Sequence, residues 1–461
     1  MTARTWCRGR STVAGAIGVT LALAACSGGS SSGEQASVPV DCSVFAAYGS
    51  HSGKTVNIFA SIRDIEAKRF EDSFKDFERC TGIKIKWEGS GAFEEQLVVR
   101  AKGGTAPDLA PIPQPGLLQD MVRGGYVKAA DAKVKKAAQE NYSEDWLDYG
   151  TVGGAFYAPP LGANVKSFVW FSPRTFKEKG WEIPETWAQM MDLTEKIAAT
   201  GIKPWCAGFE SGSSGTGWPG TDWIEDVLLR SAGPEFYTRW AEHKVPFNDP
   251  KAVDAFKTAG KILLNPRYVN GGFGDGDTFD DSVKSIATTP FQDAGYPIVS
   301  DDCAMMRQAS FYANQWATLD ESLEVGAEKD VYAFYLPPIK TGQSRPVLGA
   351  GEFLAAFNTK EETKAVQLYM QSKEWVNKKA RLGDWISPNK LLNPTNVSNP
   401  VDRLSLQLLQ DATVVFRFDA SDSMPKAVGT GSFWKGMIDW VTGKPTEKVT
   451  SEIEASWPKK S

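Results

Sequence analysis

The chain has 461 residues, of which 42% are hydrophobic and 23% are charged, and its formal net charge is −5. This length suffices for two domains with well-filled cores, and the composition is ordinary for a folded soluble protein. The acidic balance argues against nucleic acid or an anionic lipid surface as the main partner. The two histidines, His51 and His243, form no metal-ligand pattern, so we predict neither a structural zinc site nor histidine-based catalysis.

The N-terminus has the layout of a secretory signal peptide. Three arginines precede an uncharged apolar run at residues 11–25, which is shorter than the about 20 residues of a membrane-spanning helix. Leu23-Ala24-Ala25-Cys26 resembles a bacterial lipobox and is followed by Ser/Gly-rich sequence. We therefore predict a cleaved signal peptide at residues 1–25, a lipid on Cys26 and a flexible tether at residues 26–53. The mature chain, with a net charge of −8 after loss of the three arginines, would be anchored at the extracellular face of the cytoplasmic membrane.

Four cysteines follow Cys26, and none lies in a C-x-x-C arrangement, so metal and redox motifs have no support. An even number of cysteines in an oxidising compartment suggests two disulfides. Three pairings are possible, and free buried thiols are a further alternative. We favour Cys42–Cys80, which would fasten the N-terminus to an early helix, and Cys206–Cys303, which would close a long loop.

The folded part is predicted to start with a strand–helix–strand unit. Residues 56–60 alternate as in a strand, the phenylalanines within residues 70–77 recur at helical spacing, and residues 83–87 alternate again. This order predicts a parallel βαβ unit, and ligands bind at the carboxyl ends of the strands in open α/β sheets. The loops at residues 61–64 and 89–91 are therefore candidate ligand sites.

Two proline-broken runs interrupt the strands and helices that follow. One lies at Phe156–Gly162, and the other follows a strand at residues 331–336 and begins with Pro337-Pro338. We interpret both as crossings between two lobes. Between them, residues 217–223 open a helix with two tryptophans and a carboxylate, which is a plausible platform for a sugar.

An acidic stretch at residues 275–281 is similar to a calcium-binding loop. It contains Asp275, Asp277, Asp280 and Asp281, but Phe279 stands where a further oxygen ligand is expected. We favour a solvated acidic loop over a calcium site here, so we predict no metal site.

Several short segments after Lys54 share an order and spacing with one protein family. These segments are Gly89–Gln96, Pro113–Leu117, Val165–Trp170, Pro204–Cys206, Thr216–Pro219, Thr221–Trp223, Arg307–Phe311, Val347–Gly351 and Phe416–Trp434. Together they resemble the carbohydrate-binding lipoproteins of bacterial ABC importers, and among these the α-glucoside-binding branch. The chain departs from that pattern in its Cys42/Cys80 pair and its long Ser/Gly tether, neither of which touches the expected cleft.

The resemblance implies an α/β fold with two periplasmic-binding-protein-like lobes, which hinge strands join on either side of a ligand cleft. We assign residues 54–160 and 298–340 to lobe 1, and residues 161–297 and 341–461 to lobe 2. The implied protein is a monomer without a cofactor or catalytic activity. It would capture an α-linked di- or oligosaccharide of the maltose, sucrose or trehalose type by lobe closure and deliver it to membrane permease subunits.

Two alternatives stay open. The same fold could bind a non-sugar solute such as a polyamine, a metal chelate or a peptide. A secreted glycoside hydrolase needs only two carboxylates at a set separation, and carboxylates are plentiful in this chain.

The expected binding residues fall into four chemical groups, and each residue could instead belong to the core or the solvated surface. Tryptophans would stack on the flat apolar faces of a sugar, carboxylates would accept hydrogen bonds from its hydroxyl groups, cations would donate to them, and loop-end residues would face the cleft. In that order the groups are Trp218, Trp223 and Trp434; Asp64, Asp222, Glu352 and Asp419; Arg63, Lys166, Arg307 and Arg417; and Ser90, Gln114 and Gly349.

Overall fold

A computed structural model describes residues 40–270, 283–339, 345–383, 385–411 and 413–458. The predicted signal peptide, the lipidation site Cys26 and the acidic stretch at residues 275–281 lie outside the described residues. Within those described ranges, no helix is both long enough and apolar enough to cross a membrane.

The strands of the described residues form three sheets and a hairpin. They are β1 (Thr55–Ala60), β2 (Lys84–Gly89), β3 (Leu109–Ile112), β4 (Thr151–Val152), β5 (Ala155–Phe156), β6 (Asn164–Val165), β7 (Phe168–Phe171), β8 (Lys203–Cys206), β9 (Val269–Asn270), β10 (Cys303–Arg307), β11 (Tyr332–Tyr335), β12 (Arg345–Ala350), β13 (Phe353–Ala356) and β14 (Val414–Phe418). The sheet orders are β13-β3-β1-β2, β11-β7-β10-β8-β9 and β14-β12-β6, and β4 pairs with β5.

Helices connect these strands. They are α1 (Asp64–Thr81), α2 (Phe93–Lys102), α3 (Pro115–Arg123), α4 (Ala132–Asn141), α5 (Glu144–Tyr149), α6 (Pro173–Lys179), α7 (Trp187–Ala198), α8 (Gly212–Gly215), α9 (Trp218–Ala232), α10 (Pro234–Ala241), α11 (Pro250–Leu263), α12 (Tyr296–Val299), α13 (Ala313–Leu319), α14 (Glu361–Tyr369), α15 (Lys373–Arg381), α16 (Pro400–Gln410), α17 (Ala420–Ser423), α18 (Trp434–Val441) and α19 (Thr446–Ala455). Short 3-10 helices lie at Cys42–Tyr48, Ser310–Tyr312 and Pro394–Asn396, and a π-helix at Val428–Phe433.

The predicted βαβ unit is confirmed. β1 and β2 pair in parallel, from Thr55 opposite Lys84 to Ala60 opposite Gly89, and α1 lies between them in the chain. The phenylalanines of α1 are buried, as their helical spacing predicts. Gly82 ends α1 with a φ of 73°, a left-handed conformation that favours glycine.

Three strands belong to sheets other than those expected from the sequence. β10 and β11, predicted in lobe 1, both pair with β7 in the five-stranded sheet. β13, predicted in lobe 2, pairs antiparallel with β3 in the four-stranded sheet. The assignment of these three strands to lobes was therefore wrong. Pairing with strands far away in the chain decides which sheet a strand joins, and no local sequence pattern indicates that pairing. The other lobe boundaries stay a prediction.

The chain runs from the four-stranded sheet to the five-stranded sheet by way of β6, which belongs to the three-stranded sheet. Pro160 still bridges Phe353 of the four-stranded sheet, whereas β7, a few residues later, lies in the five-stranded sheet. The return runs from β11 of the five-stranded sheet to β12 of the three-stranded sheet, and from β12 into β13 of the four-stranded sheet through residues 351–352. Residues 340–342 of the second predicted crossing lie outside the described residues, and both predicted crossings stay predictions.

Both favoured disulfides are confirmed. Cys42 pairs with Cys80 across a Cα–Cα distance of 5.3 Å, and Cys206 pairs with Cys303 across 5.9 Å. The first disulfide joins the 3-10 helix Cys42–Tyr48 to α1. Since Phe45 in that helix is buried, the predicted flexible tether does not extend to residue 53.

Helix α9 lies inside the protein along most of its length. Every residue from Pro219 to Arg230 is buried, and this stretch includes Asp222, Glu225 and Asp226. A helix buried on all sides usually carries apolar residues throughout. The charged residues of α9 must therefore find partners within the protein.

Candidate functional site

A cavity of about 260 Å³ opens at the carboxyl ends of three strands of the four-stranded sheet. The loops after β1, β2 and β3 supply residues 61–66, 90–91 and 113–114. The opposite side comes from the start of α9, from residues 291–292 and from the region of α13. The cavity therefore lies at the strand ends where the βαβ pattern predicts a ligand site.

Eight of the predicted binding residues line this cavity, and the other six do not. The lining residues are Arg63, Asp64, Ser90, Gln114, Lys166, Trp218, Glu352 and Trp434. The remaining residues are Asp222, Trp223, Arg307, Gly349, Arg417 and Asp419.

The rim of the cavity, which we define as Arg63 and Asp64, is exposed to solvent. Asp64 begins α1 with a φ of 55°, a left-handed conformation that is uncommon outside glycine but tolerated by Asp. A Cβ atom on Gly91 would lie 3.0 Å from Nη1 of Arg63. The glycine in the loop after β2 thus makes room for the Arg63 side chain.

An aromatic wall, formed by Trp218, Phe291 and Phe311, lines one side of the cavity. The Trp218 ring centroid lies 4.9 Å from that of Phe291 and 5.9 Å from that of Phe311. The Trp218 side chain is partly exposed, and its Nε1 donates a hydrogen bond of 2.9 Å to Oγ of Ser211. This bond fixes the indole plane while its apolar surface stays accessible from the cavity.

Trp434 also lines the cavity but is only 3% exposed. Its Nε1 donates to Oγ of Ser421 across 3.3 Å. Most of this indole is therefore packed inside the protein, and only an edge of it can meet a ligand.

Three buried polar atoms of the cavity wall have no hydrogen-bond partner among the described residues. They are Oε1 of Gln114, Oδ1 of Asn164 and Nε1 of Trp385. The Gln114 side chain is held in place because its Nε2 donates to Oε1 of Glu94 across 3.1 Å. Leaving a buried polar group without a hydrogen bond costs about 1–3 kcal/mol. Two acceptors and one donor of the lining residues thus lack a partner among the described residues.

A buried group of ionisable side chains, which we call the floor and define as Lys166, Asp222, Asp419 and Asp422, lies at the base of the cavity. Of these residues, Lys166 and Asp422 line the cavity. Nζ of Lys166 lies 2.9 Å from Oδ1 of Asp222, contacts Oδ2 of Asp419 and lies 3.8 Å from Oδ2 of Asp422. Burial opposes the charge of Lys166, but Asp222 and Asp419 raise its pKa well above the ordinary value. Lys166 is therefore a cation that is fully engaged by its neighbours.

Arg307 continues the charged network below the floor. Its Nη1 lies 3.4 Å from Oδ2 of Asp222, and its Nη2 lies 3.0 Å from Oδ2 of Asp226. Burial and a hydrogen bond with Asp419 raise the pKa of Asp222 to about 7, against the opposing effects of Lys166 and Arg307. Burial also opposes ionisation of Asp419, but Lys166 and its other partners lower the pKa of that carboxyl below its usual range.

The six predicted residues that do not line the cavity have structural contacts, and their roles in ligand binding stay a prediction. Asp222, Asp419 and Arg307 hold one another and Lys166. Trp223 is 2% exposed and packs edge-on against Trp205 in the core.

Gly349 and Arg417 also lie away from the cavity lining. Gly349 lies in β12, where a Cβ atom would come within 2.3 Å of the Phe416 ring. The Arg417 guanidinium bonds Oγ1 of Thr238 across 3.0 Å and the carbonyl oxygen of Phe416 across 2.8 Å.

Glu352 lines the cavity at the return from β12 to β13 and is partly buried. Burial, together with the nearby Glu66 carboxylate, raises the pKa of Glu352 to about 7. This carboxyl therefore changes its charge near neutral pH.

Sequence reasoning missed several cavity residues, because they come from distant parts of the chain. They are Ser61, Glu66, Glu94, Asn164, Phe291, Phe311, Asn314, Trp385, Asp402 and Asp422. Glu94, Phe311 and Asp422 fall within family-like segments, and Ser61 lies in a loop marked as a candidate ligand site, so these four could have been selected. The others carry no local signal. Over the part of the chain that the structure describes, no group of His, Cys, Asp or Glu is arranged to hold a metal ion.

Comparisons with known proteins place the chain in a family. A family model described as bacterial extracellular solute-binding protein matches residues 64–377. The chain is 37% identical over 414 residues to the osmoprotective compounds-binding protein GgtB of Synechocystis sp., covering 89% of this chain and 94% of that protein. It is 34% identical over 423 residues to the alpha-glucosides-binding periplasmic protein AglE of Rhizobium meliloti, covering 88% and 87%.

A solved structure shows the same fold. Maltose-bound MalE3 of T. maritima matches with a TM-score of 0.68 over 87% of this chain and 98% of that chain, at 16% identity. The predicted two-lobe α/β fold and the predicted family are thereby confirmed. This chain belongs to the bacterial extracellular solute-binding proteins.

Proposed function

We propose that the protein is the extracellular sugar receptor of an ABC importer and captures an α-glucoside of the maltose, sucrose or trehalose type. One observation carries the proposal. The cavity combines the aromatic wall with three unpaired, buried polar atoms, on Gln114, Asn164 and Trp385. Sugar hydroxyl groups both donate and accept hydrogen bonds, and the apolar faces of pyranose rings stack on aromatic rings, so a sugar would satisfy both features.

The relatives support the same class of ligand. AglE is named for binding alpha-glucosides, and it is similar to this chain over most of its length. The aromatic wall and the three unpaired polar atoms are evidence independent of that name, because they follow from burial and hydrogen-bond geometry.

Capture would use residues from both sides of the cavity. Gln114 follows a strand of the four-stranded sheet, whereas Trp218 begins α9 on the opposite side. A ligand that touches both sides stabilises the closed arrangement of the lobes, and the membrane permease would recognise that arrangement. Capture and release require no covalent bond to form or break.

Calorimetric titration of the purified protein with maltose, sucrose and trehalose tests the proposal, with chromatography of the sugar after incubation. We expect heat with at least one of the three and unchanged sugar. Hydrolysed sugar would make the protein a glycoside hydrolase, and no heat with any disaccharide would assign it another ligand class.

A matched pair of variants tests the carrying observation. Gln114→Leu removes the unpaired oxygen, and we expect about tenfold weaker sugar binding. Gln119→Leu, on the helix that Gln114 precedes but outside the cavity lining, is the control and should bind like the wild type. Equal affinities of the two variants would contradict a role for the Gln114 amide.

A non-sugar solute is the second candidate, because the relative GgtB is named for osmoprotective compounds. The cavity lining also contains more carboxyl groups than cations, which leaves a cationic solute open. Titrations with glycine betaine and with spermidine test these classes. Heat with either solute, and none with the disaccharides, would favour this candidate.

We further propose that Cys26 carries a lipid that keeps the receptor near its permease and raises its effective concentration there. Cys26→Ala should leave sugar binding unchanged and release the protein from washed cells. Protein that stays cell-associated after this substitution would contradict the anchor.

A further inference from the structure

A buried cluster beneath the cavity contains more carboxyl groups than cations. All of its members are buried, and they belong to α9, to the segment after β14, to the connection between β6 and β7, and to β10. The carboxyl groups are those of Asp222, Glu225, Asp226, Asp419 and Asp422, and the cations are Lys166, Arg230 and Arg307. Two uncompensated negative charges in a buried site are strongly unfavourable, so carboxyl groups in such sites take up protons.

The ion pairs show which carboxyl groups are compensated by cations. Asp222 contacts both Lys166 and Arg307, Asp419 contacts Lys166, and Asp226 contacts Arg307 and Arg230. Glu225 makes no ion pair within the described residues, and the Asp422 carboxyl reaches Lys166 only at 3.8 Å. Glu225 and Asp422 are therefore the two carboxyl groups that the cations compensate least.

Glu225 is held by hydrogen-bond donors and not by a cation. The Tyr237 hydroxyl donates to Oε2 of Glu225 across 2.9 Å and also lies 3.0 Å from the carbonyl oxygen of Phe418. The backbone N–H groups of Ala420 and Ser421 donate to Oε2 and Oε1 of Glu225 across 2.6 Å and 3.0 Å. These three donors stabilise the Glu225 carboxyl in its buried position.

Asp422 differs from the other four carboxyl groups because it lines the cavity. Lys166, Asp222, Asp419 and Glu94 are the charged groups that act on it. Its backbone N–H donates to Oδ1 of Asp419 across 2.9 Å, which holds that carboxylate close by. Burial and the negative charge of Asp419 raise the pKa of Asp422 well above its usual value, and Lys166 offsets this only in part.

We propose that Asp422 is held as a neutral carboxylic acid at the cavity floor and that its O–H donates a hydrogen bond to a ligand oxygen that can only accept. The ring and bridging oxygens of a glycoside are such acceptors. The role toward a ligand rests on the proposed sugar-receptor function. A neutral acid also provides no charge for a cationic solute, so this residue helps to select a neutral glycoside.

Infrared difference spectra of the ligand-free protein test the protonation directly. The C=O band of a protonated carboxyl should be present in the wild type near neutral pH and reduced in Asp422→Asn. Asp439→Asn, which changes an ion-paired carboxyl of α18 outside the cavity, should leave the band unchanged. Asp222→Asn tests the nearest competitor for the proton. Loss of the band in Asp222→Asn but not in Asp422→Asn would overturn the proposal.

Maltose affinity tests the donor role. The Asn side chain keeps an N–H donor, so Asp422→Asn should bind within about threefold of the wild type. Asp422→Ala should bind about tenfold more weakly. Wild-type affinity should fall as the pH rises through the pKa of Asp422, whereas the affinity of Asp422→Asn should stay level. An unchanged affinity of Asp422→Ala would overturn the donor role.

The two experiments separate this proposal from the proposed function. If the wild type binds none of the disaccharides while the Asp422 band is present, the sugar function is wrong and the neutral acid stands. If sugar binds and Asp422→Asn leaves the band undiminished, the function stands and the neutral acid is wrong.

Discussion

The rim and the floor of the cavity contain the same kinds of charged side chain in opposite settings. Arg63 and Asp64 at the rim are exposed, whereas Lys166, Asp222 and Asp419 at the floor are buried and bonded to one another. An exposed ion pair contributes about 0–1 kcal/mol to stability, but breaking a buried pair costs about 3–5 kcal/mol. The floor charges therefore act on the fold and on each other, and the rim charges are available to a ligand.

The largest expected effect comes from removing the cation of the floor. Lys166→Met leaves the Asp222 and Asp419 carboxylates without their shared partner, and we expect the free energy of unfolding to fall by about 3–5 kcal/mol. Arg63→Met at the rim is the control, with an expected change within about 0.5 kcal/mol. Urea denaturation measures both. Equal stabilities of the two variants would remove the distinction between floor and rim.

Two tryptophans of α9 sharpen the comparison between buried and accessible positions. Trp223→Ala empties a core site, and we expect a loss of about 3–5 kcal/mol in the free energy of unfolding. Trp218→Ala should cost less stability, because its side chain is partly exposed, but should weaken sugar binding at least about tenfold. Urea denaturation and calorimetry separate the two outcomes. Similar losses of stability at both positions would contradict the assigned places.

Trp434→Ala should combine the loss of stability expected for Trp223→Ala with the loss of binding expected for Trp218→Ala. Its indole is buried yet reaches the cavity, so we expect lower stability together with weaker binding. A collapse in melting temperature with unchanged affinity would assign Trp434 to the core alone.

The pKa of Glu352 predicts a smaller, pH-dependent effect. The folded protein raises this pKa from 4.5 to about 7. Between these values the folded state binds a proton that the unfolded state has released, so this group lowers the free energy of unfolding as the pH rises. Glu352→Gln should remove this pH dependence. Above neutral pH, its free energy of unfolding should exceed that of the wild type by on the order of 1–2 kcal/mol, and near pH 4 the two should differ little.

Urea denaturation across this pH range measures the effect. Glu361→Gln, at an exposed position on α14, is the control and should leave the pH profile unchanged. A Glu352→Gln profile parallel to that of the wild type would contradict the raised pKa.

The smallest expected effect lies at the rim. Asp64→Asn removes an exposed charge, and we expect sugar affinity to change by no more than about fivefold and stability by no more than about 0.5 kcal/mol. Calorimetry at low and high salt measures the electrostatic part of this effect. A loss of affinity as large as that of Trp218→Ala would mean that the rim binds the ligand more strongly than its exposure suggests.

Local patterns predicted the parts of the fold that depend on neighbouring residues. The β1–α1–β2 unit follows from residue periodicity, and the glycine stop of α1 is visible in the sequence. The two disulfides were a choice among few pairings. The sheet membership of β10, β11 and β13 depends on pairing with strands far away in the chain, which periodicity does not encode.

The site could be predicted only in part, because its lining also depends on contacts between distant segments. Sequence identifies Trp218 and Trp223 as equivalent aromatic residues five positions apart, but packing buries one and leaves the other at the cavity. Charge type does not reveal that α9 is buried on all sides, so Asp222 seemed as accessible as Asp64. The unpaired atom on Trp385 becomes apparent only when distant segments form one wall.

A structure of the protein with a bound disaccharide, chosen by the calorimetric titration, tests the central claim most directly. We predict sugar oxygens within hydrogen-bond distance of Oε1 of Gln114, Oδ1 of Asn164 and Nε1 of Trp385, with a ring face against Trp218. A sugar bound elsewhere, or one that leaves these three atoms unpaired in this cavity, would contradict the account.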